Sequence, residues 1–164
     1  MKSAWRAGPM LALLIVAMPA WGANDPVVEN LALCRDSWVD WKRTDPSRLT
    51  SFGAFRRSDF AHNDNDAFFT PKSAMTIAGL KVTQLFPGSV GMGVGFSVQV
   101  DASFEETKQA LERELGKPLR DCEAGDGMRT CELSIAEQRT IMLMSNDPPN
   151  DRMTLLGCYY FYEK

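Results

Sequence analysis

The chain has 164 residues, of which 18 are lysine or arginine, 21 are aspartate or glutamate, one is histidine and four are cysteine. This length favours one domain, and 45% hydrophobic with 24% charged residues is typical of a globular protein rather than a disordered or fibrous one. The net charge of -3 argues against a nucleic-acid-binding protein, and the single histidine excludes zinc sites built from several histidines.

The first 22 residues have the pattern of a secretory signal peptide. Lys2 and Arg6 form a positively charged start, and the uncharged apolar run over residues 10–18 is shorter than the roughly 20 residues that span a bilayer. Ala20 and Gly22 are small residues at the positions that signal peptidases favour. We therefore predict cleavage after Gly22 and a periplasmic or secreted protein.

Cleavage would leave an acidic mature protein, which we expect to be a single domain over residues 23–164. Removal of Lys2 and Arg6 changes the net charge from -3 to -5. An acidic surface repels nucleic acid and anionic membranes and attracts basic proteins. We expect neither nucleic-acid binding nor stable membrane insertion.

The four cysteines predict two disulfides, because an even number of cysteines in a small exported protein usually forms a disulfide framework. They are Cys34, Cys122, Cys131 and Cys158. A metal site made from the four thiols is the alternative, although no C-x-x-C spacing supports it.

The turn-forming pair Asp126-Gly127 chooses between the possible pairings. This dipeptide favours a two-residue type I′ hairpin turn, and counting outward from it places Cys122 opposite Cys131. They would occupy a pair without backbone hydrogen bonds, where the Cα atoms lie about 4.5 Å apart, within disulfide range. Cys34 and Cys158 then pair by elimination.

The first structural element of the mature chain is predicted to be an amphipathic helix. Asp25-Pro26 has the residues of a helix start, and the helix would run to about Arg43. Apolar residues recur at helical spacing, at Val27, Leu31, Cys34, Trp38 and Trp41. A short helix over residues 46–53 is a further expectation.

Two strands and a second helix follow. Residues 74–86 form a strand that bends at Gly79, Pro87-Gly88 has the composition of a type II turn, and residues 90–100 return as the second strand. Ser103 and Glu106 have the spacing of a capping box at the start of a central helix, which ends near Gly116.

The remaining sequence predicts a β-meander. Its strands are expected at residues 119–123, 128–135, 139–145 and 153–162. The resulting order predicts an α+β fold, in which an N-terminal helix and a central helix pack on a mostly antiparallel sheet of about six strands.

No catalytic motif is complete, so the leading hypothesis is a non-enzymatic exported module of the binding or inhibitor type, without a cofactor. The stapled turn is a preorganised protrusion, which lowers the entropic cost of docking. Its candidate binding residues are Asp126, Met128 and Arg129. The acidic charge favours a basic protein partner, such as an envelope hydrolase or toxin.

The alternative is a small envelope enzyme or cation-binding protein centred on His62. Asp59, Asp64 and Asp66 surround this histidine in sequence, so a carboxylate could orient it as a general base, or the carboxylates could hold a cation. A solvated loop rich in turn-forming residues explains the same composition.

The alternating glycines Gly91, Gly93 and Gly95 belong to a strand and match no phosphate-binding motif. They favour the close approach of a helix or an aromatic ring to a bare strand face. A shallow groove for a small apolar ligand is the alternative.

Overall fold

The computed structural model describes residues 23–24, 26–36, 60–61, 68–90, 93–146 and 152–161. These residues form ten strands and two helices. In chain order they are β1 (Ala23–Asn24), α1 (Pro26–Ala32), β2 (Phe60–Ala61), β3 (Thr70–Pro71), β4 (Met75–Ile77), β5 (Leu80–Val90), β6 (Gly93–Asp101), α2 (Phe104–Leu115), β7 (Asp121–Gly125), β8 (Met128–Ala136), β9 (Arg139–Asn146) and β10 (Met153–Phe161).

Eight strands form one sheet in the order β1-β4-β5-β6-β10-β9-β8-β7, and β2 pairs with β3 separately. Every pairing in the large sheet is antiparallel except that of β1 with β4. The α+β class and the mostly antiparallel sheet are confirmed, but the described sheet has eight strands rather than six. One of the two additional strands is β1 at the edge of the sheet. Its two residues are too few to form a recognisable strand pattern in the sequence.

The other added strand arises at Gly79, where the chain folds back rather than bends. Ala78 and Gly79 have φ angles of 50° and 78°, and they join β4 to β5 as a hairpin turn. Two consecutive positive φ angles give the backbone twist that suits a two-residue hairpin. The expected single strand over residues 74–86 is therefore two strands.

The predicted type II turn at Pro87-Gly88 is wrong. Pro87 pairs with Phe96 and Gly88 with Gly95, so β5 continues to Val90. At Pro87, β5 pairs with β6 alone among the described strands. Its pairing with β4 reaches only to Lys81, and the isolated bridge from Phe69 joins it at Leu85. A strand with one free edge tolerates a residue without an N–H group, so proline is compatible with it.

Both helices contribute to one buried core on one face of the sheet, called here the helix face. α1 packs on β6 and β10, and α2 packs on β9 and β10. The shared core is apolar and includes Leu31, Phe96, Val98, Leu111, Leu143 and Leu156, all fully buried. Within the described residues, neither helix is long and apolar enough to cross a membrane.

The termini of α2 are those that the sequence predicts. The Ser103 hydroxyl accepts a hydrogen bond from the Glu106 backbone N–H at 3.3 Å, and the Ser103 N–H donates to the Glu106 carboxylate at 2.9 Å. Gly116 ends the helix with a φ of 63°. The bond from the Ser103 N–H lowers the pKa of Glu106 most, and a further hydrogen bond from the Ser103 hydroxyl to the carboxylate at 2.8 Å and the charge of Arg152 act in the same direction.

The predicted disulfide between Cys34 and Cys158 is confirmed, with Cα atoms 5.0 Å apart, and it joins the end of α1 to β10. However, α1 ends at Ala32 and not near Arg43. Cys34 has a φ of 56°, a left-handed conformation that a helix cannot continue through. The more distant stripe residues Trp38 and Trp41, the cap residue Asp25 and the short helix over 46–53 lie outside the described residues.

On the other side of the sheet, called here the opposite face, Tyr159 covers the bare backbone of Gly95. A Cβ atom on Gly95 would lie 2.7 Å from Cδ1 of the tyrosine ring. This confirms the predicted close approach of an aromatic ring, and it leaves no ligand groove at this glycine. Gly91 is outside the described residues.

Candidate binding surface

The stapled hairpin, comprising β7, the turn Asp126-Gly127 and β8, has the geometry that its sequence predicts. Asp126 and Gly127 have φ angles of 51° and 74°, as a type I′ turn requires. Cys122 lies opposite Cys131, and their Cα atoms are 4.0 Å apart across the disulfide. Each cysteine lies four positions from the nearer turn residue, so the bond fixes the register of the hairpin close to its tip.

Strand β7 is the exposed edge of the large sheet. It ends the strand order, and β8 is its only ladder partner among the described strands. All five of its residues are exposed. An edge strand of this kind has one row of backbone polar groups that point away from the sheet.

The hairpin register identifies which backbone groups of β7 point outward. Gly125 and Met128 flank the two-residue turn as a hydrogen-bonded pair, so Ala124 and Cys122 belong to the alternating pairs that lack ladder bonds. The Cys122 N–H instead donates to the Arg120 carbonyl at 3.0 Å. The edge of β7 that no described strand covers therefore has the N–H and C=O groups of Ala124 and the C=O group of Cys122.

Three carboxylates lie on the opposite face of the hairpin. Asp121 is directly across from Glu132, and Glu123 is two residues along the same strand and therefore on the same face. Partial burial is the largest cause of the raised pKa of Glu132. Repulsion from Asp121 is the next largest cause, and repulsion from Glu123 is smaller. The two carboxylates on β7 thus make this edge unfavourable for additional negative charge.

Two cations lie near the start of the hairpin. Lys117 and Arg120 line an open groove of about 320 Å³ together with Asp121 and Glu132. Neither cation forms an ion pair with Glu132 within the described part of the chain. The charges that act on this partly buried carboxylate are those of Asp121 and Glu123. The excess negative charge consequently increases from the start of β7 towards Glu123 and Asp126.

Arg129 lies on the helix face, whereas the three carboxylates of the hairpin lie on the opposite face. Its guanidinium is 3.3 Å from the Glu105 carboxylate and 5.4 Å from the ring centroid of Phe104. The salt bridge and the cation–π contact attach the hairpin to the first turn of α2. Of the predicted binding residues, Arg129 therefore supports the hairpin rather than extending from it.

Met128 lies at the end of the hairpin on the opposite face and is 46% exposed. It lines an open groove of about 240 Å³ with side chains from β6, β9 and β10, among them Met144, Met153 and Leu155. Asp126 occupies the exposed tip beside it. The structure thus places Asp126 and Met128 at the same end of the hairpin and Arg129 on the helix face.

The alternative site falls outside the described residues, which include neither His62 nor Asp59, Asp64 and Asp66. Within the described part of the chain, no group of three histidine, cysteine or acidic side chains is arranged to hold a metal ion. All four cysteines are in disulfides, so the four-thiol metal site is excluded.

Sequence reasoning selected the tip of the hairpin and missed the carboxylates of its stem. The signal was present, because the register that pairs Cys122 with Cys131 also places Asp121 opposite Glu132. What the sequence could not provide was the exposure of β7, which depends on the strand order of the whole sheet.

Comparison of the chain with protein-family models, with curated proteins and with solved structures gives no match.

Proposed function

We propose that the protein is an exported, non-enzymatic binding module that uses the stapled hairpin to bind a basic protein. The observation that carries the proposal is the exposed edge strand β7, which has two carboxylates of its own and lies beside a third whose pKa is raised. A cationic partner would relieve the repulsion between these groups.

The two disulfides and the predicted signal sequence support a periplasmic or extracellular location, because disulfides persist in oxidising compartments. The partner would be a basic protein of the same compartment, such as an envelope hydrolase or a toxin. Rigid attachment of the hairpin through the Cys122–Cys131 bond and the contact of Arg129 with α2 supports binding, because fewer conformations are lost on docking.

Asp126 and Met128 extend the proposed surface beyond the stem. Asp126 adds a negative charge at the exposed tip, and Met128 adds an adaptable apolar side chain next to it. A partner would therefore have a basic surface with an apolar residue at the end that meets the turn.

Titration with a short oligolysine peptide tests the charge requirement. Glu123→Gln should weaken binding about twofold to fivefold at low salt, the range of an exposed ion pair, and Asp126→Asn should act in the same direction. Glu137→Gln is the matched control, since Glu137 is exposed in the turn between β8 and β9.

The proposal is wrong if the peptide binds wild type, Glu123→Gln and Glu137→Gln with equal affinity. A protein captured from envelope extract supports the proposal only if it is basic and if the purified pair loses affinity with the same hairpin variants.

A further inference from the structure

We propose that the basic partner binds by strand addition, with an extended segment that pairs antiparallel to β7 and places lysine or arginine at every second position. This inference rests on the proposed function and specifies the mode of binding at the same surface. Among the described strands β7 pairs with β8 alone, so its other edge has backbone groups available for a new strand in addition to the carboxylates.

The backbone of β7 can accept a new strand at Ala124. Because Ala124 and Arg129 form a pair without ladder bonds, the N–H and C=O groups of Ala124 point to the free edge. A partner residue opposite Ala124 would exchange two hydrogen bonds with it. The outward C=O of Cys122 would accept a third, while its N–H is occupied by Arg120.

The side chains of β7 determine the sequence that such a strand should have. Residues opposite each other in a ladder point to the same face, so partner residues opposite Asp121 and Glu123 would lie beside these carboxylates. Those two partner positions are two residues apart, and basic side chains there match the charges on β7.

The helix face of the hairpin excludes the same segment shifted by one residue. Ala124 is on the face of Arg129, whose guanidinium already contacts Glu105 and Phe104. A one-residue slip would move every basic side chain of the partner to the face that holds Arg129. Small neutral residues at the alternate positions are therefore expected.

The charge of the edge also distinguishes a foreign basic strand from a second copy of this chain. Two β7 strands paired with each other would bring Asp121 and Glu123 of one copy beside those of the other. Like charges on adjacent strands are destabilising, and charged edges commonly prevent such self-association. Charge complementarity thus selects a basic segment as the occupant.

A synthetic peptide that alternates lysine with threonine is the probe for strand addition. In the proposed register the threonine amides face β7 and the lysine amides face solvent. Methylating the threonine backbone nitrogens should weaken binding about tenfold or more, because it removes the donors to β7 and leaves every charge in place. Methylating the lysine backbone nitrogens should have little effect and is the matched control.

A variant of the protein gives a second, independent measurement. Ala124→Pro removes the outward N–H without breaking a bond to β8, and an edge position can accommodate proline. It should weaken peptide binding about as much as threonine methylation. Thermal unfolding of this variant establishes that the hairpin remains folded.

The outcomes separate this inference from the proposed function. If Glu123→Gln weakens binding but threonine methylation and Ala124→Pro do not, binding is electrostatic and strand addition is overturned. If only lysine methylation weakens binding, the proposed antiparallel register is overturned. If none of these changes affects binding, the proposed function fails together with the inference.

Discussion

Glu132 lies directly opposite Asp121 in the ladder between β7 and β8, so two carboxylates share one side of the stapled hairpin. Burial together with repulsion from Asp121 and Glu123 raises the pKa of Glu132 above its usual 4.5. The folded state therefore binds a proton at Glu132 more readily than the unfolded state does. This pair makes the hairpin less stable at neutral pH than an uncharged one would be.

Glu132→Gln should accordingly raise the melting temperature at neutral pH, by about 1–2 °C for a partly exposed charge. The favourable contribution of the protonated carboxyl is complete below about pH 4.5 and is lost as the pH rises through the folded-state pKa. The difference between variant and wild type should thus disappear in acid. Calorimetry at pH 4 and pH 7 measures it, and equal gains at both values would contradict the assignment.

Tyr159 and Tyr160 are adjacent residues whose hydroxyl groups have opposite roles. The buried Tyr159 hydroxyl lies near Ser97, but the Ser97 hydroxyl donates to the Phe86 carbonyl at 3.4 Å, and the Tyr159 hydroxyl has no hydrogen bond of good geometry among the described residues. The Tyr160 hydroxyl donates to the Asp36 carbonyl at 3.2 Å. Tyr159→Phe should leave the free energy of unfolding unchanged or increase it by up to about 2 kcal/mol, because it removes an unsatisfied polar group.

Tyr160→Phe should instead decrease the free energy of unfolding by about 1 kcal/mol, the usual net value of a hydrogen bond. Urea unfolding of the two variants under identical conditions compares them directly. A larger loss for Tyr159→Phe than for Tyr160→Phe would show that the Tyr159 hydroxyl has a partner in solution.

Gly157 is required by the close approach of β10 to β6. A Cβ atom at this position would lie 2.5 Å from the Phe96 carbonyl oxygen and 2.5 Å from Cβ of Ser97, and both belong to a buried central strand. Gly157→Ala should therefore reduce the free energy of unfolding by about 1–3 kcal/mol or more, as overpacking does.

Gly125 provides the matched control for this substitution. It also lies in a strand, but an added Cβ would meet nothing within 4 Å. Gly125→Ala should change stability by less than about 0.5 kcal/mol, as exposed substitutions usually do. Comparable losses for both variants in chemical unfolding would mean that steric contact at Gly157 is not the cause.

These residues also show which parts of the fold the sequence could predict. The turn at Asp126-Gly127 and the capping box of Ser103 and Glu106 depend on residues within a few positions of each other, and both are confirmed. The turn at Pro87-Gly88 fails because pairing with β6, a long-range interaction, overrides the local preference. The early end of α1 is likewise associated with a left-handed residue that is bonded to Cys158.

In the candidate surface, too, some features depend on local sequence and others on long-range packing. The register of the hairpin is local, and it determines which face holds Met128 and the three carboxylates. The contact of Arg129 with Glu105 and Phe104 is not local, because it requires α2 to pack beside β8. Sequence spacing contains no information about that contact, so it cannot distinguish Arg129 from the exposed residues of the hairpin.

The two disulfides should contribute unequally to stability and to binding. Cys34 and Cys158 are 124 residues apart, whereas Cys122 and Cys131 are nine apart. In the chain-entropy model the long loop is worth about 5 kcal/mol and the short loop about 2.7 kcal/mol, because the longer loop restricts the unfolded chain more. Unfolding of the two double alanine variants in denaturant measures both losses.

The two disulfides should have the reverse order of importance for binding of the alternating lysine–threonine peptide, with the short Cys122–Cys131 bond mattering more. The Cys122–Cys131 bond ties β7 to the sheet, and without it an exposed strand with one ladder partner frays and loses its preorganised edge. Loss of the Cys34–Cys158 bond acts on α1 and β10, on the helix face away from this edge. At temperatures where both variants remain folded, weaker peptide binding should follow removal of the short bond only, and an equal effect of both would contradict binding along β7.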